Sequence, residues 1–372
     1  MTQIYGPNEL LEDVHKRDLC IGCGACVELC PYFKNHKGKT VMLFPCTISQ
    51  GRCYAFCPKV EVDLDELSER LLGHPYEGDA LGSYEQILTA RAGEKAGGGS
   101  FQAGGTVTAL MTLALNSGMI KAAVLTDREG LVPVARLVTE SEKVAEYAAS
   151  KYMAAPTLAA LNQGIREGYR QIGVVGTPCQ MMAVAQMKLN ALEREEYPEA
   201  IGLSVGLFCT WALDTRALIS FLSERMDISQ IKGMDIPPPP AEIFIVDTGN
   251  EKKEFSLDEI RPLVPNSCLV CPDMTSEWAD VSVGVLEGRP DWNTLIIRTE
   301  RGREIVDRAA QEGYLITEEM PEENLEHLIW AAGNKKKRAI IRAEEQGLLN
   351  RIGEGERSLI RLAAETITKI TA

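Results

Sequence analysis

Eleven cysteines against only four histidines (His15, His36, His74 and His327) make sulfur the side chain to read first. Residues 1–62 hold Cys20-Ile-Gly-Cys23-Gly-Ala-Cys26-Val-Glu-Leu-Cys30-Pro31, a C-x2-C-x2-C-x3-C-P run. Three such thiolates wrap one iron–sulfide cubane, and the fourth, ahead of the proline, is directed to another cluster. A second run, Cys46-x6-Cys53-x3-Cys57-Pro58, keeps the ending but lacks one cysteine, and Gln50 stands where a ligand is expected. Under the crossing rule Cys20, Cys23, Cys26 and Cys57 hold one 4Fe–4S cluster, while Cys30, Cys46 and Cys53 offer a second only three thiolates. No Asp, Glu or His lies between Cys46 and Cys53. Three outcomes stay open there: a 3Fe–4S cluster, a 4Fe–4S cluster with a non-cysteine ligand, or one completed by a distant cysteine. Structural zinc is the alternative chemistry.

The other cysteines are Cys179 in Gly176-Thr177-Pro178-Cys179-Gln180, Cys209 in Gly206-Leu207-Phe208-Cys209, and Cys268-Leu-Val-Cys271-Pro272-Asp273. The first two follow apolar strands, and the pair sits in a loop opened by Pro265-Asn266. Loops at the carboxyl ends of strands in an open α/β sheet converge on one crevice. Four thiols delivered there suit a third 4Fe–4S cluster. Buried small hydrophobes or a four-thiolate zinc fit the same count. Upstream, Gly97-Gly98-Gly99-Ser100-Phe101-Gln102-Ala103-Gly104-Gly105-Thr106-Val107-Thr108 opens a helix with glycines and hydroxyls. Backbone amides at a positive helix N-terminus suit a pyrophosphate, although a glycine-rich linker running into a capped helix reads the same. No G-x-G-x-x-G follows a strand, so a Rossmann nicotinamide site is not supported.

The elements that must position these groups alternate. A helix is expected over Gly104 to Asn116, and strands over Ile120 to Thr126 and Leu131 to Thr139. Helices follow from Ser141 and Pro156, then a strand over Gln171 to Val175, a helix from Gln180 and a strand over Gly202 to Phe208. Pro237 to Pro240 reads as a rigid connector. Glu242 to Val246 and Lys252 to Phe255 read as a hairpin across Thr248-Gly249-Asn250, and Thr294 to Thr299 as a late strand. The predicted fold class is α/β, a mixed sheet flanked by helices. A small N-terminal ferredoxin-like (α+β) iron–sulfur domain precedes it, and a helical C-terminus follows. The divisions are residues 1–62 (iron–sulfur), 63–98 (linker), 99–317 (α/β) and 318–372 (C-terminal helices). The Lys335-Lys336-Lys337-Arg338 run reads as a solvated face. In 372 residues with net charge −14, nucleic acid is not an expected partner. The longest apolar run, Ile201 to Leu213, is too short to span a bilayer. No apolar signal region precedes Lys16, and unpaired thiols suit a reducing compartment, so a cytoplasmic location is expected.

Ala103-Gly-Gly-Thr-Val-Thr-Ala-Leu110, Ser150-Lys-Tyr-Met-Ala154, Gly176-Thr-Pro-Cys-Gln180, Gly206-Leu-Phe-Cys209, Cys268-x2-Cys271-x-Asp273, Ala279-Asp-Val-Ser-Val-Gly284, and Trp292-Asn-Thr with Arg298-Thr299 occur in that order. Together they resemble the beta subunit of the coenzyme F-420 hydrogenase/dehydrogenase family, over roughly residues 84–317. The resemblance implies an FAD in the α/β domain beside a 4Fe–4S cluster held by Cys179, Cys209, Cys268 and Cys271. Its candidate flavin contacts are Ser100, Gly104, Gly105, Thr106, Thr108, Lys151, Tyr152, Thr177 and Gln180. No residue is assigned as a catalytic acid, base or nucleophile. The implied function is that of an anaerobic flavin iron–sulfur oxidoreductase subunit with two to three clusters. It would exchange hydride with a carrier, the deazaflavin coenzyme F-420 first, and pass electrons to other redox subunits. Those partners are of hydrogenase, formate dehydrogenase or heterodisulfide-reductase-like type. The alternative is an electron relay with FAD but no deazaflavin substrate.

Overall fold

The computed structural model describes residues 3–96, 101–237, 241–352 and 357–372. Apolar runs such as Ala122-Ala-Val-Leu and Ile201-Gly-Leu-Ser-Val, too hydrophobic to face water on either side, become interior strands. They build an eight-stranded sheet from β1 (Gln86–Ala92), β2 (Ala122–Glu129), β3 (Val132–Val138), β4 (Ile172–Gly176), β5 (Ile201–Leu207), β6 (Val281–Val285), β7 (Asn293–Ile297) and β8 (Leu315–Glu319). The order is β8-β1-β7-β6-β5-β4-β2-β3. The central β6, β5, β4 and β2 run parallel, with antiparallel pairings outside them. Helices α1 (Thr106–Asn116) and α4 (Glu300–Gln311) cover one face, where Leu110, Met111 and Ile305 pack on Leu125, Leu203 and Leu295. Helices α2 (Thr157–Arg166) and α3 (Pro178–Leu189) cover the other, where Leu158, Met181 and Val184 meet Val124, Ile172 and Val174.

The second core does not stop at the sheet. It takes in Leu10, Phe33, Tyr54 and Phe56 of the N-terminal segment and Ile340 of α5 (Glu322–Glu345), so the iron–sulfur segment is packed onto the α/β body. Backbone contacts fix the join. Leu158 N–H donates to Cys23 O at 3.0 Å, and the Asn162 amide donates to Ala25 O and Val27 O at 3.0 and 2.7 Å. Gly24, at φ +85°, sits where a Cβ would fall 2.7 Å from Ala159 N and 2.8 Å from Pro156 O. Gly24→Val therefore combines left-handed strain with a backbone clash and is expected to cost about 2–4 kcal/mol. A lowered thermal midpoint and earlier protease cleavage in residues 16–50 would register it.

Several expectations need correction. Residues 63–98 are not a plain linker: they contain helix Leu64–Leu72 and β1, the strand between β7 and β8. Strand β1 was missed because its partners lie some two hundred residues downstream, and its Gln86-Ile-Leu-Thr-Ala-Arg-Ala sequence has no clean alternation. The C-terminus is not all helix. Strand Ile360–Leu362 pairs in parallel with Leu349–Arg351 on one side and with Val62–Asp63 on the other, tying the C-terminus to the N-terminal segment. Ser141–Tyr147 is a 3-10 helix. The expected hairpin forms as Ile243–Asp247 with Lys252–Ser256, joined by Gly233–Asp235. Ser100 and most of the Pro237–Pro240 connector lie outside the described residues. Among the described residues no helix is long and apolar enough to cross a membrane.

Candidate functional site

The ends of neighbouring parallel strands deliver the inner thiols. After β4, Thr177 caps α3, with its N–H donating to Gln180 Oε1 at 2.9 Å, and Cys179 occupies the first turn. Gln180 is buried, its amide nitrogen donating to Ala155 O and Thr157 Oγ1 at 2.9 Å each, so it braces the turn that carries Cys179. After β5, Cys209 N–H donates to Met274 O at 2.9 Å. Cys268 lies in the short helix Asn266–Leu269, and Cys271 N–H donates to Cys268 O at 3.3 Å. The motif residues beyond them are scaffold. Asp273 accepts from the N–H groups of Ser276 and Glu277 at 2.8 and 2.9 Å. Asp280 accepts from Ser204 N–H, Ser204 Oγ and Thr299 Oγ1. Buried Arg298 donates to Leu81 O, Ser83 O, Thr275 and Ser282 Oγ. Gly206 is required by close approach: a Cβ there would fall 2.2 Å from Ser276 Cβ.

Burial raises several of the thiols, and neighbouring cysteines add to the effect. Burial pushes Cys179 up to about 12, with Cys271 and Cys268 adding repulsion. Burial likewise raises Cys209, which Cys268, Cys179 and Cys271 oppose further. In the N-terminal segment burial raises Cys23 and Cys26, and each is repelled by Cys57 and Cys20. Cys53 is lifted by burial to about 12, with Cys30 and Cys46 contributing. The inner set and the Cys20/23/26/57 set lie on packed elements. Helix α3 joins them physically: it carries Cys179, and its Gln186 donates to Cys57 O at 2.8 Å.

Two lysines expected on a solvated face are instead buried, a correction with a clear cause. Helix α5 lies across the cysteine loops, and its Lys335 ammonium donates to Cys209 O at 2.6 Å and Asp273 O at 2.7 Å. Burial opposes that charge, but Cys271, Cys209, Asp273 and Cys268 outweigh it and hold its pKa above the ordinary lysine range. Lys336 forms a buried pair with Glu277 at 2.8 Å, and Tyr76 donates to the same carboxylate at 2.9 Å. A third buried lysine, Lys59, donates to Ser267 O at 2.9 Å, and its charge favours the thiolates of Cys57, Cys179 and Cys268. Lys336→Met strands Glu277 in the interior and is expected to cost about 3–5 kcal/mol. Burial already raises Glu277, and losing Lys336 raises it further. A carboxyl whose folded pKa exceeds its unfolded one destabilises as pH rises through the unfolded value. The variant's loss of thermal midpoint should thus shrink toward acid pH, and Glu277→Gln added to it should recover much of the deficit.

The candidate flavin residues gather around the start of α1 and the 148–153 turn. Gly105, at φ +76°, turns the chain into α1, and Gly104 leaves no room for a Cβ, which would meet Asn293 Oδ1 at 2.8 Å. Thr106 is fully buried, and its Oγ1 has no hydrogen-bond partner; Thr108 follows it on α1. The Lys151 ammonium donates to Ala148 O and Ala149 O at 3.1 Å each, and its pKa is lowered by burial and by Arg128. The Tyr152 hydroxyl donates to Asp235 Oδ1 at 2.8 Å and accepts from Gln102 Nε2 at 2.7 Å and Ile236 N–H at 3.1 Å, so it braces the turn. Gln102, Asp235, Lys59 and Lys335 were missed by sequence reasoning. None carries a spacing signal.

The donor sets fit iron–sulfur clusters: each is thiol alone and buried or half-buried, and buried lysines back the inner set. The unpartnered Thr106 hydroxyl and its glycine turn fit an anionic cofactor group. A mixed α/β body with thiol loops at its strand ends and a docked 4Fe–4S motif defines a redox protein of the electron-transfer class. Residues 87–162 match the N-terminal model, and 169–323 the C-terminal model, of the coenzyme F420 hydrogenase/dehydrogenase beta subunit; 14–32 match the 4Fe-4S binding domain. The chain belongs to that beta-subunit family and is an oxidoreductase. It is 29% identical to the coenzyme F420 hydrogenase subunit beta of Methanothermobacter thermautotrophicus, over 72% of this chain and 98% of the relative. It is also 29% identical to the coenzyme F420-dependent sulfite reductase of Methanocaldococcus jannaschii, over 79% of this chain but 46% of that longer protein. A chain in the xenon-derivatised F420-reducing NiFe hydrogenase complex of Methanosarcina barkeri superposes with TM-score 0.66 at 27% identity, covering 72% of this chain and 93% of that one.

Proposed function

We propose that this chain is the flavin-bearing subunit of a cytoplasmic redox complex, exchanging electrons between the deazaflavin coenzyme F-420 and a partner redox subunit through FAD and two to three iron–sulfur clusters. The observation that carries the reading is the contact between the carriers of the two four-thiol sets, Cys20/23/26/57 and Cys179/209/268/271: Gln186 of the helix bearing Cys179 donates to Cys57 O, and Lys59 donates to Ser267 O beside Cys268. The names of the hydrogenase subunit and the sulfite reductase point to coenzyme F-420 as the carrier.

When bound, a flavin and clusters supply the exchange between two-electron and one-electron carriers. The chain's own residues bind and orient. Gly104, Gly105 and Thr106, with Ser100 and Thr108, offer backbone amides and hydroxyls to an anionic group at the positive end of α1. Lys151 supplies a cation close by. Tyr152, Thr177 and Gln180 act through bracing, since their polar atoms are engaged within the chain. The cysteines are the cluster ligands, and burying them excludes water. Phe44, Leu43 and Ile48, exposed at 59%, 51% and 53% around half-buried Cys46, form an apolar surface on which the partner redox subunit docks beside the third thiol set.

Reduced F-420 mixed anaerobically with the oxidised protein tests this reading. Bleaching of bound flavin absorbance followed by cluster reduction is expected. No bleaching in the presence of bound flavin would favour the relay, in which FAD is reduced only by a protein partner.

A further inference from the structure

We propose that Lys335 and Lys59 are the fixed counter-charges of the inner thiolate set, raising the reduction potential of the cluster it holds, so that helix α5 is a working part of the redox centre. The inference rests on Cys179, Cys209, Cys268 and Cys271 being that cluster's ligands. Helix α5 starts at Glu322, where the family's matched stretch ends at residue 323. Its lysines therefore reach the site from outside the region that carries the family motifs.

The two adjacent lysines of α5 differ in what holds them. Lys336 has a carboxylate, Glu277, as its buried partner. The Lys335 ammonium is held by two carbonyl oxygens, Cys209 O and Asp273 O, one on each of the loops that carry the cysteines. A desolvated ammonium without a carboxylate contact is costly, and a cluster held by the cysteines of those two loops would supply compensating negative charge there. Lys59 has the same character: it is 5% exposed, bonds to Ser267 O next to Cys268, and lies near Cys57 of the neighbouring set.

An electron added to a cluster is an added negative charge, so a buried cation within reach stabilises the reduced form and raises the midpoint. The reach of the two lysines differs. Lys335 bonds to the backbone of Cys209 and of Asp273, two residues beyond Cys271, both in the inner set's loops. Lys59 bonds to Ser267 O beside Cys268 of the inner set and stands two residues beyond Cys57 of the N-terminal one. Both are positioning residues, acting on the cluster through space and not as ligands.

The test is a redox titration followed by electron paramagnetic resonance on full-length, anaerobically purified protein with its iron in place. Lys335→Met should move the inner midpoint negative by a tenfold or larger change in the reduced fraction at fixed potential, about 59 mV for one electron, and leave the N-terminal midpoint nearly still. Lys59→Met should move both. Lys335→Arg, which keeps the charge, should titrate close to the parent. Full iron content with an unmoved inner midpoint in Lys335→Met would overturn the proposal. If Lys335→Met loses iron, Lys335→Gln and Lys335→Arg carry the comparison: equal midpoints for the two, or loss of iron in Gln but not Arg with no shift in any loaded fraction, would make Lys335 a structural clamp only. Absence of the inner signal in the parent protein would instead sink the ligand assignment, and is seen before any variant is made.

Discussion

Cys268→Ser is expected to leave a folded protein with about four fewer irons per chain and no electron passage between flavin and the N-terminal segment. The loop that carries Cys268 does not depend on its thiol. It is pinned by Asp273, Arg298 and Asp280 through hydrogen bonds that the substitution leaves intact. A serine hydroxyl is a poor iron ligand at neutral pH because the thiolate is both the stronger ligand and the more easily ionised group. The expected outcome is specific. Iron and acid-labile sulfide fall together, flavin content holds, and bleaching by reduced F-420 persists while reduction of the N-terminal clusters stops. Ligand loss in the N-terminal set, by Cys26→Ser, should give the complementary pattern, with the inner cluster still reduced. Retention of all iron in Cys268→Ser would remove Cys268 from the ligand set.

The second large effect is expected from Thr106→Val, and its direction separates a binding role from a structural one. The Thr106 hydroxyl is fully buried and makes no hydrogen bond within the chain. Removing an unpaired buried hydroxyl while keeping the shape is close to neutral for stability, or slightly favourable. If the hydroxyl instead serves an anionic cofactor group, its loss removes a charge-assisted hydrogen bond of about 1.5–3 kcal/mol. Flavin affinity should fall by about 10- to 150-fold. Thermal midpoint of the flavin-free protein and flavin dissociation constant, measured on one preparation, are predicted to move independently: the first unchanged or raised, the second weakened. Equal flavin affinity in parent and variant would exclude Thr106 from the flavin site.

The cysteine arithmetic was the most legible part of the sequence. Ligand spacing is a local property, so Cys20/23/26 could be grouped directly, and the crossing rule placed Cys57 with them and Cys30 with Cys46 and Cys53. The strands β2, β4 and β5 were also legible as apolar runs bounded by turn residues, while their order and parallel pairing were not. What escaped was non-local. Strand β1 is held by β7 and β8 from the far end of the chain. The Lys335-Lys336 run has the composition of a solvated helix face, and only the cysteine loops and Glu277 lying under α5 make burial tolerable. Gln180 and Tyr152 read naturally as cofactor contacts because their motifs coincide with family signatures. In the structure their polar atoms hold the turns that carry Cys179 and Lys151. Motif residues therefore divide into those that touch the chemistry and those that aim it, a distinction spacing does not encode.

Nothing tests the account more directly than elemental and cofactor analysis of the full-length protein purified without oxygen. The account predicts roughly 8–12 irons per chain, for two to three clusters, with matching acid-labile sulfide, one FAD, and a broad brown absorbance. Zinc in place of iron, with neither labile sulfide nor flavin, would contradict it.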